Sequence, residues 1–535
     1  MVQYKYKIHK HALRILFCGF FCLLAFLTSA SCSVLPPVEK DRLRTNLAVE
    51  PGSINPLFAN DGHSYALASR VFEPLMAFDV KTNRFEPLLA ESWEVLPDQK
   101  TYRFHLRPGV VWQDGQPFDA DDVLATFEAA ANDGANPNYH YTVSQLERIQ
   151  KINPLTVELT YKDVYFRGLI NCGSVPILPK HILKQYKGRI QDLFRHDAIG
   201  TGPWVLSKWE AGQRVVFERN DLYWKGKSAL RWLEVLFIAD NNLAFQKLKK
   251  GELDFMDELR DLQWLKQTGS QNFQEHFQKY SFGGNAYSAI AWNNTHPFFK
   301  YKNVRQAMTH LFNRQLILEK LKYNNGEIVT GPFLPHTSRY NTEAKNYEYD
   351  VQTALNLLAE AGIRDSDGDG WLDLQGQKFS FTLLANTAPL IMRYATIYQE
   401  DLRKVGIDMQ LQTLESSVLI DRALKKEFDA TFFKWSMGYG DDIMQTWHSA
   451  MIAQPGSYNI ISYKNSKVDA LIEAAQIEFD DAKRDSLYRE VHAILAEDQP
   501  YTFMFVDYYL MAVSKRFSHV VMYPQGYDIM EWQVQ

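Results

Sequence analysis

The sequence predicts an α/β protein of two or three domains, and three observations carry that expectation. A chain of 535 residues, 46% of them hydrophobic, is large enough for several cores. Residues 379–385 and 407–414 alternate as strands on either side of a helical stretch, 391–405, closed at Gly406. Strand, helix and strand at this spacing imply a βαβ unit and a parallel pair. Residues 199–224 read IGTGPWVLSKWEAGQRVVFERNDLYW, in which 204–209 and 214–219 are rich in aromatic and β-branched residues and split by Ala211-Gly212-Gln213. That is the pattern of a hairpin closed by a glycine turn. Gly200, Gly202 and Pro203 punctuate a turn before it, since glycine takes positive φ and proline fixes φ and lacks an amide donor.

At the start of the chain, Lys5, Lys7, Lys10 and Arg14 precede an apolar run of 13 residues, 15–27, that ends in Thr28-Ser29-Ala30-Ser31-Cys32. A bilayer span needs about 20 apolar residues, so residues 1–31 read as an export signal. Ala30 and Ser31 before Cys32 resemble a bacterial lipobox, in which cleavage exposes the cysteine for acylation. Ser29 stands where leucine is usual, and cleavage near Ala30 or Ser31 without acylation is the other reading. The signal carries four basic residues and no acid, so its removal takes the formal charge from −5 to −5 − 4 = −9. An acidic chain argues against a nucleic-acid partner. Cys18 and Cys22 fall in the signal and Cys32 would carry lipid, which leaves Cys172 and no internal disulfide. Cys172 reads as a buried small hydrophobe.

Residues 33–44 contain Pro36-Pro37 followed by charges and read as a tether, with the body starting at Thr45. A strand at 47–49, a turn-rich break at 50–56 and a helix at 65–76 follow. Tyr102, Phe104 and Leu106 alternate with polar residues as a half-buried strand, and Asp114-Gly115 makes a tight turn. Asp119 caps a helix starting at Ala120, with Asp122 three residues on and Val123, Leu124 and Phe127 on its apolar face. A strand at 156–161, a turn at 179–183, a strand at 230–238 and a helix at 241–252 stopped by Gly251 come next. After a strand at 287–293 and a helix around 303–307, Asp350 caps a helix with Leu355, Leu358 and Ala361 inward and Gly362 at its end. Helices at 468–477 and 484–497 and strands at 500–506 and 508–512 close the chain.

Asp365, Asp367, Asp369 and Asp373 lie in one turn with Gly368 and Gly370. Carboxylates at alternating positions resemble the first half of a Ca²⁺ loop, since a hard cation wants several oxygens around a sharp turn. The twelfth position, where a bidentate Glu belongs, is Gly376. A structural Ca²⁺ and a solvated Asp/Gly hairpin are the two readings; no other cofactor is expected.

Several motifs occur in order. They are Asn55-Pro56 and Glu73-Pro74-Leu75-Met76, then Leu89-Ala90-Glu91-Ser92-Trp93, then the strand of Tyr102 with Asp114-Gly115, then Gly200-Thr201-Gly202-Pro203-Trp204 with Tyr223-Trp224, and Gly251-Glu252-Leu253-Asp254. From Thr45 to about Met530 the chain resembles the extracytoplasmic solute-binding proteins of the oligopeptide, dipeptide and nickel class, which feed ABC importers. The resemblance implies a two-lobed periplasmic binding protein type II-like fold with an extra inserted subdomain. It divides the chain into a first lobe (45–85, 199–285 and 504–535), an insert (86–198) and a second lobe (286–503), with crossover strands as the hinge. It implies as partners a peptide or other small solute, an ABC permease in the inner membrane, and the membrane itself through a lipid anchor at Cys32, the protein being a periplasmic or cell-envelope monomer. A nickel chelate as ligand, or a chaperone or signalling receptor on the same fold, are alternatives, because fold does not fix function.

The strand expected at 428–433 delivers Lys434-Trp435-Ser436-Met437-Gly438-Tyr439-Gly440-Asp441-Asp442, and ligands of open α/β sheets bind beyond such strand ends. In the family this loop lines the cleft, and in enteric peptide binders an aspartate three residues after the Trp meets the ligand ammonium. Here that position is Gly438. Asp441 or Asp442 supplies the carboxylate instead, or both are solvated or cap the helix leading to Trp447. The resemblance places Trp435, Ser436, Gly438, Tyr439, Asp441 and Asp442 on one side of the ligand, with Asp61 and His63 of the first lobe facing them and Asn293 in the same set. No G-x-S-x-G elbow, H-E-x-x-H pair, phosphate loop or Cys/His metal set is present, which argues against an enzyme.

Overall fold

Two long strands, Phe277–Trp292 and Tyr501–Ser514, run antiparallel side by side, paired from Phe277 opposite Ser514 to Ala291 opposite Tyr501. The strands expected at 287–293, 500–506 and 508–512 are stretches of these two. The pairing continues past Gly283 and Gly284, with register shifts on either side of Tyr287. Glycine is needed there for close approach, because a Cβ on Gly284 would stand 2.8 Å from the Asp507 carbonyl oxygen.

The computed structural model describes residues 40–535 apart from 60, 83, 133, 187–189, 195–196, 439–441 and 455–456. Residues 43–535 form the second of two units into which the chain divides; Cys32 and residues 1–31, read above as an export signal, lie outside the described residues. In the second unit, buried side chains separate along the long strands. Tyr287, Ile290, Trp292, Phe503 and Phe505 belong to two clusters drawn from residues 287–506. Phe277, Leu510, Met511, Ala512 and Val513 belong to two others drawn from 43–277 and 510–532. The long strands therefore join two lobes.

The seven-stranded sheet orders Phe255–Met256, Tyr501–Ser514, Phe277–Trp292, Ala430–Ser436, Ser380–Asn386 and Asp408–Leu414, with Gly326–Ile328 pairing Tyr501–Ser514. Ser380–Asn386 and Asp408–Leu414 are parallel in register over their full length, with the helix Pro389–Lys404 between them. The expected βαβ unit is present. In the first lobe, Trp204–Glu210 and Arg214–Arg219 form the expected hairpin, with Gly212 at φ +70, in a four-stranded sheet with Trp232–Phe237 and Arg42–Leu47. A second four-stranded sheet holds Ala90–Val95, Thr101–Leu106, Thr156–Tyr161 and Leu146–Asn153. Tyr102, Phe104 and Leu106 are buried, and Asp119 and Asp122 form the expected capping box.

Three local expectations change. The first strand begins at Arg42, inside the stretch read as a tether, because Leu43 is buried and Arg44 pairs with Asp254 from a distant segment. The helix expected at 65–76 is only Gly62–Ala68, since the carbonyls of Arg70 and Val71 are taken by the amides of Trp204 and Gly202. Gly200 and Gly202 are not at positive φ. A Cβ on Gly200 would collide with the Val71 carbonyl and one on Gly202 would come within 2.7 Å of it, so these glycines serve close packing. Cys172 is buried. Among the described residues no helix is long and apolar enough to cross a membrane.

Candidate functional site

Lys434, Trp435 and Ser436 belong to the strand Ala430–Ser436 itself, which runs three residues beyond its expected end. Trp435 lies opposite Tyr287 and Ser436 opposite Ala286, and the Met437 amide donates to the Asn285 carbonyl at 2.7 Å. Tyr509 donates its hydroxyl to the Asn285 side chain. The chain thus leaves the sheet at the point where the long strands pass between lobes. The half-buried Trp435 indole lies 4.9 Å from the Phe433 ring and 5.7 Å from that of the exposed Tyr458. Gly438 follows, exposed. Tyr439 and Asp441 lie outside the described residues.

Asp442 is heavily engaged. Its Oδ1 accepts from the Met444 amide at 2.9 Å, at the start of the short helix Met444–Trp447. Its Oδ2 accepts from the Tyr165 hydroxyl at 3.1 Å and from Gln476 Nε2 at 2.9 Å. Tyr165 follows the strand Thr156–Tyr161 of the first lobe. No sequence signal marks it, since its partner is 277 residues away.

Asn293 is not brought to this loop. Antiparallel pairing sets Trp292 opposite Ala430, so Asn293 sits at the other end of the strand that delivers Ser436, about 20 Å away at 3.3 Å per residue. Its Nδ2 donates to the Phe428 carbonyl at 2.8 Å, and its Oδ1 accepts from Thr295 N and Oγ1. Structural hydrogen bonding explains this asparagine.

On the first lobe, Asp61 caps Gly62–Ala68, accepting from the amides of His63 and Ser64 and from the Ser64 hydroxyl at 2.6 Å. Its carboxyl is held below the usual range by those bonds, against the opposing effect of burial. The His63 charge favours the ionised form of Asp61 and also that of Asp257, which follows Phe255–Met256. Burial pushes the Asp257 carboxyl up to about 6, the Glu258 charge adds to this, and His63 and Arg70 pull the other way. Glu327, also raised by burial, stands with His336 beside Gly283. Asp257 could have been found three residues after Asp254 of the Gly-Glu-x-Asp element; Glu327 carries no such signal.

Of the four candidate metal ligands, three come together. Carboxylate oxygens of Asp365, Asp367 and Asp369, all exposed, lie within 4.8 Å of one another. Asp373 is buried and points elsewhere, its oxygens accepting from the Ser366 and Gly376 amides at 2.8 Å each. It closes the turn and does not face the other three.

The profile of the bacterial extracellular solute-binding proteins, family 5, matches residues 84–450, more than half of the chain. The chain belongs to that family. This family 5 protein is 30% identical over 520 residues to the oligopeptide-binding protein AppA of Bacillus subtilis, covering 94% of each chain. It is 27% identical over 482 residues to the dipeptide-binding protein of Escherichia coli, covering 84% of this chain and 86% of the other. The AppA structure in complex with a nonapeptide superposes with a TM-score of 0.75 at 29% identity, covering 92% of this chain and 99% of that one. NikZ from Campylobacter jejuni in complex with Ni(L-His) gives 0.76 at 25%, covering 93% of this chain and 100% of that one. The fold is the two-lobed type II solute-binding fold.

Proposed function

We propose that this family 5 protein is the extracytoplasmic receptor of an ABC importer and binds peptides between its two lobes. The observation that carries this reading is the exit of the chain from the sheet at Trp435-Ser436-Met437-Gly438, beside the strands that join the lobes. A peptide backbone offers the same donors and acceptors whatever its side chains, so a general peptide binder needs accessible main chain beside aromatic surface. The exposed Ser436 ends the strand there, and Trp435 and Tyr458 supply the aromatic surface. The likeness to an oligopeptide-binding protein over 94% of both chains supports the same ligand class. Export, an anchor at Cys32, a monomeric state and delivery to a permease belong to this reading, and no catalysis does.

The ammonium of the peptide needs a counter-charge when buried, and Asp441 and Asp442 are the acids of the loop. A short peptide should raise the melting temperature and change Trp fluorescence. Asp441→Asn or Asp442→Asn should weaken binding by about 2 kcal/mol, and N-acetylation of the peptide should remove the same increment from wild type while costing that variant little. A nickel chelate is the second reading, favoured by the likeness to NikZ with Ni(L-His). If a peptide library gives no shift while a metal chelate, sugar or opine does, the peptide reading fails.

A further inference from the structure

Asp442 is the one acid of the loop whose surroundings are described, and its partners come from both lobes. Tyr165 reaches it from the first lobe and Gln476, at the end of the helix Ser466–Gln476, from the second. Two more contacts run alongside. The amide of Phe166 donates to the Gln476 carbonyl at 2.9 Å, and the Arg484 guanidinium lies 4.3 Å from the Phe166 ring centroid. Phe166 and Arg484 are each only 6% exposed. Burial, and then the charge of Asp442, push the Tyr165 hydroxyl far above its usual range, so it keeps its proton and is the donor.

We infer that Tyr165, Asp442 and Gln476 form a clasp holding the first lobe's inserted sheet against the second lobe, with Oδ2 of Asp442 committed to it. Oδ2 already accepts two hydrogen bonds, so a ligand ammonium placed there would displace Tyr165 or Gln476 and leave a half-buried donor unpaired. The clasp acts on affinity through the closed state. Every ligand that requires closure gains from it equally, whatever its terminus, because a ligand's apparent affinity scales with the population of the competent state. This consequence for affinity rests on the solute-binding reading; the clasp itself does not.

The test uses the full mature chain, with dyes on Glu147→Cys in the insert and Lys425→Cys in the second lobe, both exposed positions. Single-molecule distances are read first without added solute. Tyr165→Phe removes one hydrogen bond to a charged acceptor and should raise the open-to-closed ratio about tenfold. Gln476→Ala should do the same from the other lobe, each with its melting temperature checked for folding. With peptide, both variants should lose about the same factor in affinity for free and N-acetylated ligands. Unchanged distances in both variants would overturn the clasp. A loss confined to peptides with a free amine would overturn it too, and would return Asp442 to the ammonium. Should no peptide bind wild type, the peptide reading fails while the solute-free distances still decide the clasp.

Discussion

Tyr223 donates its hydroxyl to Glu73 Oε1 at 2.7 Å, and the Trp224 indole donates to Oε2 of the same carboxylate at 3.2 Å. Two sequence motifs 150 residues apart meet at one buried acid, whose carboxyl burial pushes up against the pull of those bonds. Glu73→Ala would remove the shared acceptor of the half-buried Tyr223 hydroxyl and Trp224 indole N–H. It should cost about 3 kcal/mol in urea unfolding, and Glu73→Gln, which keeps an acceptor, should cost distinctly less.

Asp254 holds both ends of the folded chain. Arg44 donates to its two oxygens at 2.9 Å through Nε and Nη2, and Arg516 does the same at 2.8 Å. The Asp254 side chain is only 3% exposed. Asp254→Ala removes the buried carboxylate that both guanidinium groups share and should destabilise by about 3 kcal/mol or more. Denaturant midpoints check this, and the single replacements Arg44→Gln and Arg516→Gln should each cost less.

Asp257 sets a pH dependence. Its folded-state pKa is raised from 3.8 to about 6, so across that window the native protein retains a proton that the unfolded chain releases. Its contribution to stability is therefore greatest at the acid end, falls as pH rises toward 6 and is constant above. Asp257→Asn cannot ionise. The melting temperature of the variant minus that of wild type should rise from pH 4 to pH 6 and then level off; a flat difference would count against the buried acid.

The cluster of Asp365, Asp367 and Asp369 gives a metal test. Millimolar Ca²⁺ is expected to raise the melting temperature relative to chelator, and Asp367→Asn to remove that rise. Identical melting curves with and without Ca²⁺ would leave a solvated turn.

Anchoring is decided by mass. The mature protein is expected to begin at an acylated Cys32 and to partition into detergent. An intact mass without a lipid increment would replace the anchor with plain signal-peptide cleavage.

Elements whose causes lie within a few residues were legible without the tertiary structure. Asp119 and Asp122 box their helix start, Gly212 turns its hairpin, and the alternation on either side of residues 391–405 announces a parallel pair. In each case the deciding interaction spans one turn of chain or one strand, so composition and period suffice. Arg44 belongs to a strand because Asp254 waits 210 residues on, and Gly200 is glycine because the Val71 carbonyl passes where a Cβ would stand. Gly283 and Gly284 lie inside a long strand whose pairing with Tyr501–Ser514 resumes at Tyr287 after a register shift. Asn293 and Trp435 looked like parts of one site until antiparallel register put them at opposite ends of a strand, and Asp442, read as a ligand acid, a solvated acid or a cap of the helix leading to Trp447, accepts from the first amide of that helix and also from Tyr165 of the other lobe. These outcomes depend on which distant segments meet, and local period carries no information on that. The entropy of closing a loop grows only slowly with its length, so packing, and not distance along the chain, chose the partners.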